Sequence, residues 1–266
     1  MKRNRRTESS LLLGLPDVKL EPDALAAETA SRAAAALAHF PGGKSWKKVL
    51  TEFAAQTEKK NCAYPGIAAL ILSGPEEWEA RAREKAEKTA LSQICTPLEA
   101  YLYIPALMLA DTRLGTKERY FDLLSTLKAV PAGSEDDSAL LMAAAVESME
   151  WMEQAVYEVY RGFQDIFLTN ARRLQQFAAD GNGENAESPS SVLFASYAVL
   201  KACRLGAVLT ERHAAAAEKR AEKIMKKADD SGEPLVYAAA ALVYAEGIRN
   251  RDFRDYGAKN GGVLWS

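Results

Sequence analysis

The sequence predicts an all-α protein built as an α/α toroid of helical hairpins, either closed or incomplete. Apolar residues recur at three- and four-residue steps through about eleven segments, the spacing of amphipathic helices, and almost no segment shows the alternation of a strand. Very apolar helices, over 98–109 and 235–248, alternate with heavily charged ones, over 76–93 and 210–228. An inner ring of helices packed inside an outer ring produces this alternation, although no strict sequence repeat is visible.

The first elements are bounded by turn and capping residues. An Ala-rich helix opens at Asp23 and ends before 41–43, a Pro-Gly-Gly turn. Ser45 is expected to cap the second helix. A short apolar helix covers 65–72, and a single helix that is charged on most faces covers 76–94, which places it on the outside.

The middle of the chain holds the most apolar helix. It covers 98–109 after a Thr-Pro start, and Pro105 inside it is expected to kink or break it. A further helix covers 116–130. Ser134 and Asp137 then resemble a capping box with the shorter acid and open another apolar helix.

The pattern that starts at Ser134 continues through Phe163 without a clear break. Residues 181–187 are the most loop-like internal segment. Ser188 or Ser190 can cap the helix that follows, and Gly206 stops it, because glycine readily takes the left-handed conformation that ends helices. The last two helices are predicted over 210–227 and 235–248.

Composition excludes several classes of function. The chain has 266 residues, of which 48 % are hydrophobic and 26 % charged, and its formal net charge is −2. This charge gives no global field to recruit nucleic acid or an anionic membrane surface. No apolar run approaches the roughly twenty residues of a membrane helix. We therefore expect neither nucleic acid nor membrane as a partner.

The chain is expected to be cytoplasmic, with one domain over 21–266. Residues 1–20 begin with a basic run, and the apolar stretch after it is too short for a signal peptide, so they are predicted to form a disordered basic tail. The cysteines Cys62, Cys95 and Cys203 show no metal-ligand spacing and are expected to be reduced core residues. No metal or cofactor is predicted.

The stretch from Glu187 to Gly206 resembles the hallmark of the unsaturated rhamnogalacturonyl and glucuronyl hydrolases. These glycoside hydrolases remove unsaturated uronyl residues from pectin or glycosaminoglycan fragments. Their motif reads Glu-Thr-Ser-Ala-Ser-Ala-Met-Phe, followed by a Tyr-Ala-Leu-x-Lys-Gly-x-Arg-Leu-Gly-like helix. The matching residues here are Glu187, Ser191, Phe194, Tyr197, Ala198, Lys201, Arg204, Leu205 and Gly206, with conservative changes at Ser188, Val192 and Leu193.

A second segment resembles the same family. In the family an acidic residue lies six positions before a proline, and here Glu99 lies six before Pro105. The family's catalytic residue in this column is Asp, so Glu99 replaces an Asp by a Glu. The family's Leu-Trp-Tyr-Gln stretch corresponds to 173–176, of which only Gln176 is retained. The resemblance runs from about residue 60 to the end of the chain.

The resemblance implies hydration of the double bond of an unsaturated uronic acid, without a metal. A protonated carboxyl donates a proton, an activated water adds, and the hemiketal collapses. Such a proton donor needs an apolar site that keeps it protonated, and Glu99 lies in an apolar helix where desolvation could raise its pKa. Asp136 or Asp137 is the candidate partner. The implied substrate-binding residues are Gln176, Glu187, Ser188 and Ser191.

Other readings of these residues remain open. Glu99 is also a helix N-terminal acid favoured by the helix dipole, and Asp136 and Asp137 are also helix-start acids. The family's Gly-Leu-x-x-His-x-x-Asp segment is missing, and its Arg- and Trp-containing loop appears as 133–138 without either residue. The sequence therefore supports two hypotheses: a hydrolase that uses Glu99, or a catalytically inactive toroid that serves as a scaffold or as a carbohydrate- or protein-binding module.

Overall fold

The computed structural model describes residues 23–38, 44–57, 64–115, 117–152, 156–180, 188–228 and 233–259. Within these ranges the chain forms eleven α-helices, one short 3-10 helix and no strand, which confirms the all-α prediction. The helices are α1 (Ala24–Leu37), α2 (Lys44–Gln56), α3 (Ile67–Ser73), α4 (Glu76–Lys88), α5 (Pro97–Arg113), α6 (Tyr120–Ala129), α7 (Glu135–Trp151), α8 (Tyr157–Asp180), α9 (Pro189–Arg204), α10 (Thr210–Ala228) and α11 (Pro234–Lys259).

The odd-numbered helices form a ring. Each contacts the next odd-numbered helix along the chain, and α11 packs against α1, so the contacts close. The even-numbered helices lie outside: α2 contacts α1 and α3, α4 contacts α3 and α5, and α10 contacts α9 and α11. This order is consistent with the α/α toroid of helical hairpins, with six inner and five outer helices in the described part of the chain.

Burial follows the same division between inner and outer helices. On the inner helix α7, every residue from Ser138 to Met149 is buried. On the outer helix α4, only Ala82 and Ala86 are buried, and most of the remaining residues are charged. An inner helix buries nearly its whole surface because it faces both the centre of the ring and the outer layer, whereas an outer helix buries one stripe.

Several predicted helix starts are confirmed. Asp23 is the N-cap of α1, and its Oδ1 accepts hydrogen bonds from the amides of Leu25 and Ala26 at 3.0 and 3.1 Å. Ser134 is the N-cap of α7, and its Oγ accepts from the Asp137 amide at 3.1 Å. In both cases a short polar side chain satisfies amides that the first helical turn leaves without partners.

Ser45 does not cap α2, which begins one residue earlier at Lys44, and the last helix runs past 248 to Lys259. Three further predicted helix boundaries are wrong. The segment 76–94 is not one helix, because Thr89 and Ala90 are extended and separate α4 from the 3-10 helix Leu91–Gln93. The segment after Ser134 does break, because Met152 is extended. The helix expected from 116 begins at Tyr120, since Lys117 has a positive φ of 65°. The backbone conformation of single residues determines each of these three boundaries, and the spacing of apolar residues does not predict that conformation.

Pro105 does not end its helix. The helix α5 runs as one element from Pro97 to Arg113 with Pro105 inside it, longer at both ends than the predicted 98–109. Pro105 itself is buried. Its ring lacks the N–H that would bond to Tyr101 O, and the Arg32 Nη2 donates a hydrogen bond to that carbonyl at 2.7 Å instead. A side chain from α1 thus satisfies the acceptor that the proline leaves open.

The end of α9 is the Schellman arrangement expected from Gly206. Gly206 has a φ of +72°, its amide donates to Cys203 O at 3.1 Å, and the Ala207 amide donates to Ala202 O at 2.8 Å. The outer helix α8 holds the same turn, because Tyr160 Oη donates to Leu205 O at 3.0 Å and Gln164 Nε2 donates to Ala207 O at 2.7 Å.

Some predictions fall on residues that the structure does not describe. The expected tail over 1–20, Cys62 and the loop 181–187 with Glu187 lie outside the described residues. Of the other two cysteines, Cys203 is buried as expected. The expectation for Cys95 is wrong, because it is exposed in the turn before α5.

Candidate functional site

Five of the seven residues predicted to form a site lie at the N-terminal turns of inner helices. Glu99 is in the first turn of α5, Asp136 and Asp137 are in the first turn of α7, and Ser188 and Ser191 begin α9. Short connections make each inner–outer pair antiparallel, so the inner helices run parallel and their first turns share one end of the ring. These five residues therefore come from one region of the fold.

Glu99 forms hydrogen bonds with the backbone and the capping residue at the start of α5. It is the N3 residue of a full capping box: its Oε2 accepts hydrogen bonds from the amides of Cys95 and Thr96, both at 2.9 Å, and its own amide donates to Thr96 Oγ1 at 3.2 Å. These hydrogen bonds, from the Cys95 backbone first, hold the pKa of Glu99 below its usual value. The carboxylate form is the one that this environment favours.

The expectation that desolvation raises the pKa of Glu99 is therefore wrong. The apolar residues of α5 lie on its other faces and further along the helix, whereas the first turn carries Glu99 at the surface. A carboxylate near a helix N-terminus that also accepts two backbone hydrogen bonds is stabilised in its charged form. Glu99 is thus poorly suited to be the proton donor that the predicted mechanism needs.

Asp136 and Asp137 have different partners. The Asp137 Oδ2 accepts from the Gly133 amide at 3.0 Å, one residue before the N-cap, so this carboxylate also serves the helix start. Asp136 accepts a hydrogen bond from Ser191 Oγ, which joins the first turns of α7 and α9. The structure thus brings together two of the predicted residues, one from the catalytic pair and one from the substrate-binding set.

Ser188 and Gln176 do not take part in this junction. Ser188 occupies the N-cap position of α9, but its Oγ pairs with Ser190 Oγ at 2.8 Å and makes no capping hydrogen bond. Gln176 is exposed on α8. Beside the junction, a recess between Ser191 and Arg220 has a volume of about 10 Å³, roughly the minimum for a single water molecule.

Glu99 lines a larger polar groove. The groove lies between the end of α4 and the start of α5 and has a volume of about 380 Å³, within the usual range of ligand sites. Lys85, Lys88 and Gln93 line it on one side, and Tyr103, one turn after Glu99, contributes a half-buried ring. Asp136, Asp137 and Ser191 do not line it, so the predicted carboxyls are not brought into one cavity.

A second set of functional groups lies inside the ring. None of its members was predicted as a site residue, although Tyr197, Lys201 and Arg204 belong to the resembled motif. Lys201 of α9 contacts Glu147 Oε1 at 2.9 Å and also pairs with Glu150, both from α7. Tyr197 Oη donates to Glu147 and accepts from Lys201 Nζ at 2.8 Å. These four side chains join the inner helices α7 and α9.

The network continues to α11 through arginines. Arg204 Nη2 donates to Glu150 Oε1 at 2.8 Å, and its Nε pairs with Glu246. Arg249 donates to the same Glu150 oxygen at 2.6 Å. Glu150 therefore forms ion pairs with Lys201, Arg204 and Arg249, and it links three inner helices.

Electrostatics in this network favour the ionised forms. Burial acts to raise the pKa of Glu147 and Glu150, but the adjacent Lys201, with Arg32 beside Glu147 and Arg204 beside Glu150, lowers both below the usual value. The pKa of Tyr197 is raised well above 10 by burial and by Glu147, so its hydroxyl stays protonated as a donor. The network therefore consists of paired charges and one neutral phenol, that of Tyr197.

A sequence signal for this network does exist. Lys and Glu are rarely fully buried unless they are paired, and Glu147, Lys201 and Glu246 each interrupt a long apolar run. Taken alone, each of these charged residues is equally compatible with a solvent-exposed helix face. The partners come from helices about 50 to 100 residues apart in sequence, so only the folded ring shows that the charges compensate one another.

The network and the predicted residues occupy different levels of the ring. Asp136 and Glu147 are eleven residues apart on α7, which corresponds to about 16 Å along a helix axis. Ser191 and Lys201 are similarly separated on α9, by about 15 Å. The N-terminal end of the inner helices thus carries the Glu99 groove, and the network lies nearer their C-terminal end.

The described residues contain no group of three or more His, Cys, Asp or Glu side chains arranged to hold a metal ion. Among the helices in the described ranges, none is both long and apolar enough to cross a membrane. Comparison with protein-family models, with curated proteins and with solved structures finds no match to this chain.

Proposed function

We propose that this protein is a carbohydrate-binding α/α toroid that takes uronyl-ended oligosaccharides in the Glu99 groove and does not hydrolyse them through Glu99. The observation that carries the proposal is the groove itself: two lysines, an ionised carboxylate and a tyrosine ring line about 380 Å³ at the end of the ring that carries the first turns of the inner helices. The resemblance to the unsaturated uronyl hydrolases supplies the substrate class.

The groove chemistry suits an acidic sugar. Lys88 pairs with Glu84 and Lys85 donates to Thr57 O at 3.3 Å, and each ammonium has further N–H donors for a uronate carboxylate. The Tyr103 ring offers a surface for a sugar face. Both hydrogen bonds from the Cys95 and Thr96 amides go to Glu99 Oε2. Glu99 Oε1 is thus available to accept a hydrogen bond from a sugar hydroxyl.

Hydrolysis through Glu99 with Asp136 or Asp137 is the second candidate function. It is favoured by one observation: Ser191 from the resembled motif contacts Asp136, so the motif and a predicted catalytic acid do meet. Against it, Glu99 is held as a carboxylate, and neither aspartate lines the groove that contains it. This reaction needs a protonated donor, which Glu99 does not provide at neutral pH.

One experiment separates the two functions. Lyase-generated pectin and glycosaminoglycan fragments, which end in unsaturated uronyl residues, are titrated into the protein by calorimetry, and the ultraviolet absorbance of the double bond is followed in the same samples. We expect saturable heat with at least one fragment and no loss of absorbance. Loss of absorbance that disappears in Glu99→Gln would establish hydrolysis instead.

Matched lysine variants locate the binding site. We expect Lys85→Met and Lys88→Met together to weaken binding by about tenfold or more, since they remove the cations opposite the uronate. Lys48→Met is the control, because Lys48 is an exposed lysine on α2 outside the groove. The absence of both heat and absorbance loss for every fragment would contradict the carbohydrate proposal and leave a scaffold that binds protein.

A further inference from the structure

The centre of the ring contains a cavity that the proposed function does not use. Its volume is about 150 Å³, and its lining includes residues of all six inner helices. The lining residues of α1, α7 and α9 lie in the C-terminal halves of these helices, so the cavity is at the end of the ring opposite the Glu99 groove. Ala36, Leu72, Trp151 and Arg249 are lining residues that are partly exposed, which places the mouth of the cavity beside them.

The charged residues of this lining balance one another. In the described part of the chain three are basic and three are acidic, namely Arg32, Lys201 and Arg249, and Glu147, Glu150 and Glu246. Their partners outside the lining keep the balance, because Arg204 pairs with Glu150 and Glu246, and Glu28 pairs with Arg32. A charged ligand would add one uncompensated charge to a largely buried site, which is costly. The lining therefore favours a neutral ligand.

Glu147 offers one hydrogen-bond acceptor to the cavity. Its Oε1 accepts from Tyr197 Oη and lies 2.9 Å from Lys201 Nζ. Its Oε2 has no hydrogen-bond partner in the described chain but retains accessible surface, unlike Glu28 Oε2, which is fully enclosed. Because Glu147 is only 2 % exposed and lines the cavity, this surface faces the cavity. A molecule in the cavity can satisfy this oxygen only by donating a hydrogen bond to it.

Most of the remaining lining is apolar. Leu72 of α3, Pro105 of α5 and Leu242 of α11 contribute aliphatic surface, and Trp151 of α7 contributes an indole ring. An apolar cavity of about 150 Å³ holds one benzene molecule, which sets the size of the hydrocarbon part that fits here. Apolar walls with a small number of polar groups at fixed positions are the general form of a small-molecule site.

We propose that the central cavity binds a small neutral alcohol whose hydrocarbon part is about the size of benzene. The hydroxyl donates a hydrogen bond to Glu147 Oε2, and the hydrocarbon part packs against Leu72, Leu242 and Trp151. A hydrogen bond to an ionised acceptor is stronger than one between neutral groups, and an uncharged hydroxyl leaves the charges around the cavity balanced. This site does not depend on the proposed sugar site, because the two lie at opposite ends of the inner helices.

The test uses the whole chain and small probes of similar size. Cyclopentanol has the hydroxyl donor, its isomer tetrahydropyran only accepts hydrogen bonds, and cyclopentylammonium and cyclopentanecarboxylate are charged. Each probe is titrated while the Trp151 indole signal, assigned with Trp151→Phe, is followed by nuclear magnetic resonance. We expect saturable shifts with cyclopentanol, and affinities weaker by about tenfold or more for the other probes, which lack the donor or add a charge.

Three results would overturn the proposal. The first is the absence of saturable binding of cyclopentanol. The second is equal affinity for tetrahydropyran, which would show that the ligand donates no hydrogen bond to Glu147. The third is tighter binding of either charged probe, which would show that the charges around the cavity are not balanced.

A variant that fills the cavity assigns the binding to it. Ala36 lines the cavity and is partly exposed, so Ala36→Leu places added side-chain atoms in the cavity mouth. We expect this change to weaken cyclopentanol binding by about tenfold or more, because the added atoms occupy the space of the ligand. Ala55→Leu, at an exposed position of α2, is the control and is expected to bind as the native protein does. Unchanged binding in Ala36→Leu with native helical circular dichroism would overturn the assignment to this cavity.

A measurement on the native protein covers the case in which Ala36→Leu does not fold. We expect nuclear Overhauser contacts between the ring protons of bound cyclopentanol and the Trp151 indole protons. Binding without such contacts would place the alcohol elsewhere and would overturn the assignment to the central cavity.

Discussion

At the residue scale, position within a helix decides what a carboxylate does. Glu99 lies in an apolar helix, yet its first-turn position leaves it partly exposed and gives it two backbone donors. Glu147 lies in a similarly apolar helix, but it is deep in the ring and is held by Lys201 and Tyr197. The sequence around each residue is apolar, so composition alone does not distinguish the two roles.

The pH dependence of stability tests the role of Glu99. Because its folded pKa lies below the unfolded value of about 4.3, its contribution is present above that value and is lost as pH falls through the folded pKa. Gln retains the capping hydrogen bond but not the charge. Urea denaturation of Glu99→Gln is expected to show a loss of about 0.5 kcal/mol at pH 7 and low salt, shrinking towards pH 3.

For this prediction Thr96→Ala is the companion variant. It removes the other half of the capping box, so its cost of about 1 kcal/mol should persist at pH 3, where the loss in Glu99→Gln has faded. A Glu99→Gln loss that grows as pH falls would mean that its folded pKa is raised and would contradict the cap assignment.

The buried network predicts a much larger effect at Lys201. The change Lys201→Met keeps most of the side-chain volume but leaves Glu147 and Glu150 with fewer cations in a buried site. We expect a loss of about 3–5 kcal/mol in the free energy of unfolding, measured by urea denaturation. A loss below about 1 kcal/mol would show that these groups are solvated.

The exposed lysine Lys48 provides the matched comparison. Its side chain is 80 % exposed, and it lies 3.8 Å from Glu52 one turn later on α2. The same change to Met there should alter the free energy of unfolding by less than about 0.5 kcal/mol, because exposed ion pairs contribute little.

At the element scale, helix starts were predicted more accurately than helix breaks. A capping side chain such as Asp23 or Ser134 is visible in the sequence, and the structure uses both. The breaks at Thr89 and Met152 depend on extended backbone at residues that carry no turn signal. Gly206 is the exception. The left-handed conformation that ends α9 favours glycine, so this helix end is visible in the sequence.

Replacement of Gly206 tests the Schellman end of α9. Gly206→Ala places a Cβ on a residue with φ +72°, and we expect destabilisation of about 1 kcal/mol by urea denaturation, although no atom lies within 4 Å of the added Cβ. Gly133→Ala is the control, because Gly133 has no positive φ and its nearest contact is an ordinary 3.6 Å. Equal effects of the two substitutions would contradict the backbone explanation.

At the scale of the whole molecule, the alternation of apolar and charged helices did predict the layers. The apolar α5 and α11 are inner helices, and the charged α4 and α10 are outer ones. The contact of α11 with α1, which closes the ring, could not be read from spacing because it joins opposite ends of the chain. The ion pairs that join different helices inside the ring could not be predicted from the sequence for the same reason, since their two residues lie on separate helices.

Closure of the ring predicts a gradient in hydrogen exchange. Amides of α7, buried on nearly every face, should exchange only through global unfolding, whereas those of α4, with two buried residues, should exchange through local opening. Because α1 and α11 pack together, we expect their central amides to be protected to the same degree. Markedly faster exchange in α1 than in α11 would indicate a ring that opens at this contact.

The proposed function depends most on Glu99 being an ionised N-terminal cap in a binding groove. The direct test is the titration of its side-chain carboxyl, followed by nuclear magnetic resonance of protein labelled at glutamate, with Glu99→Gln to assign the signal. We expect a pKa below the usual value for Glu, with the carboxylate ionised throughout the neutral range. A pKa raised towards 6 or 7, as in a general acid, would contradict the account and favour hydrolysis.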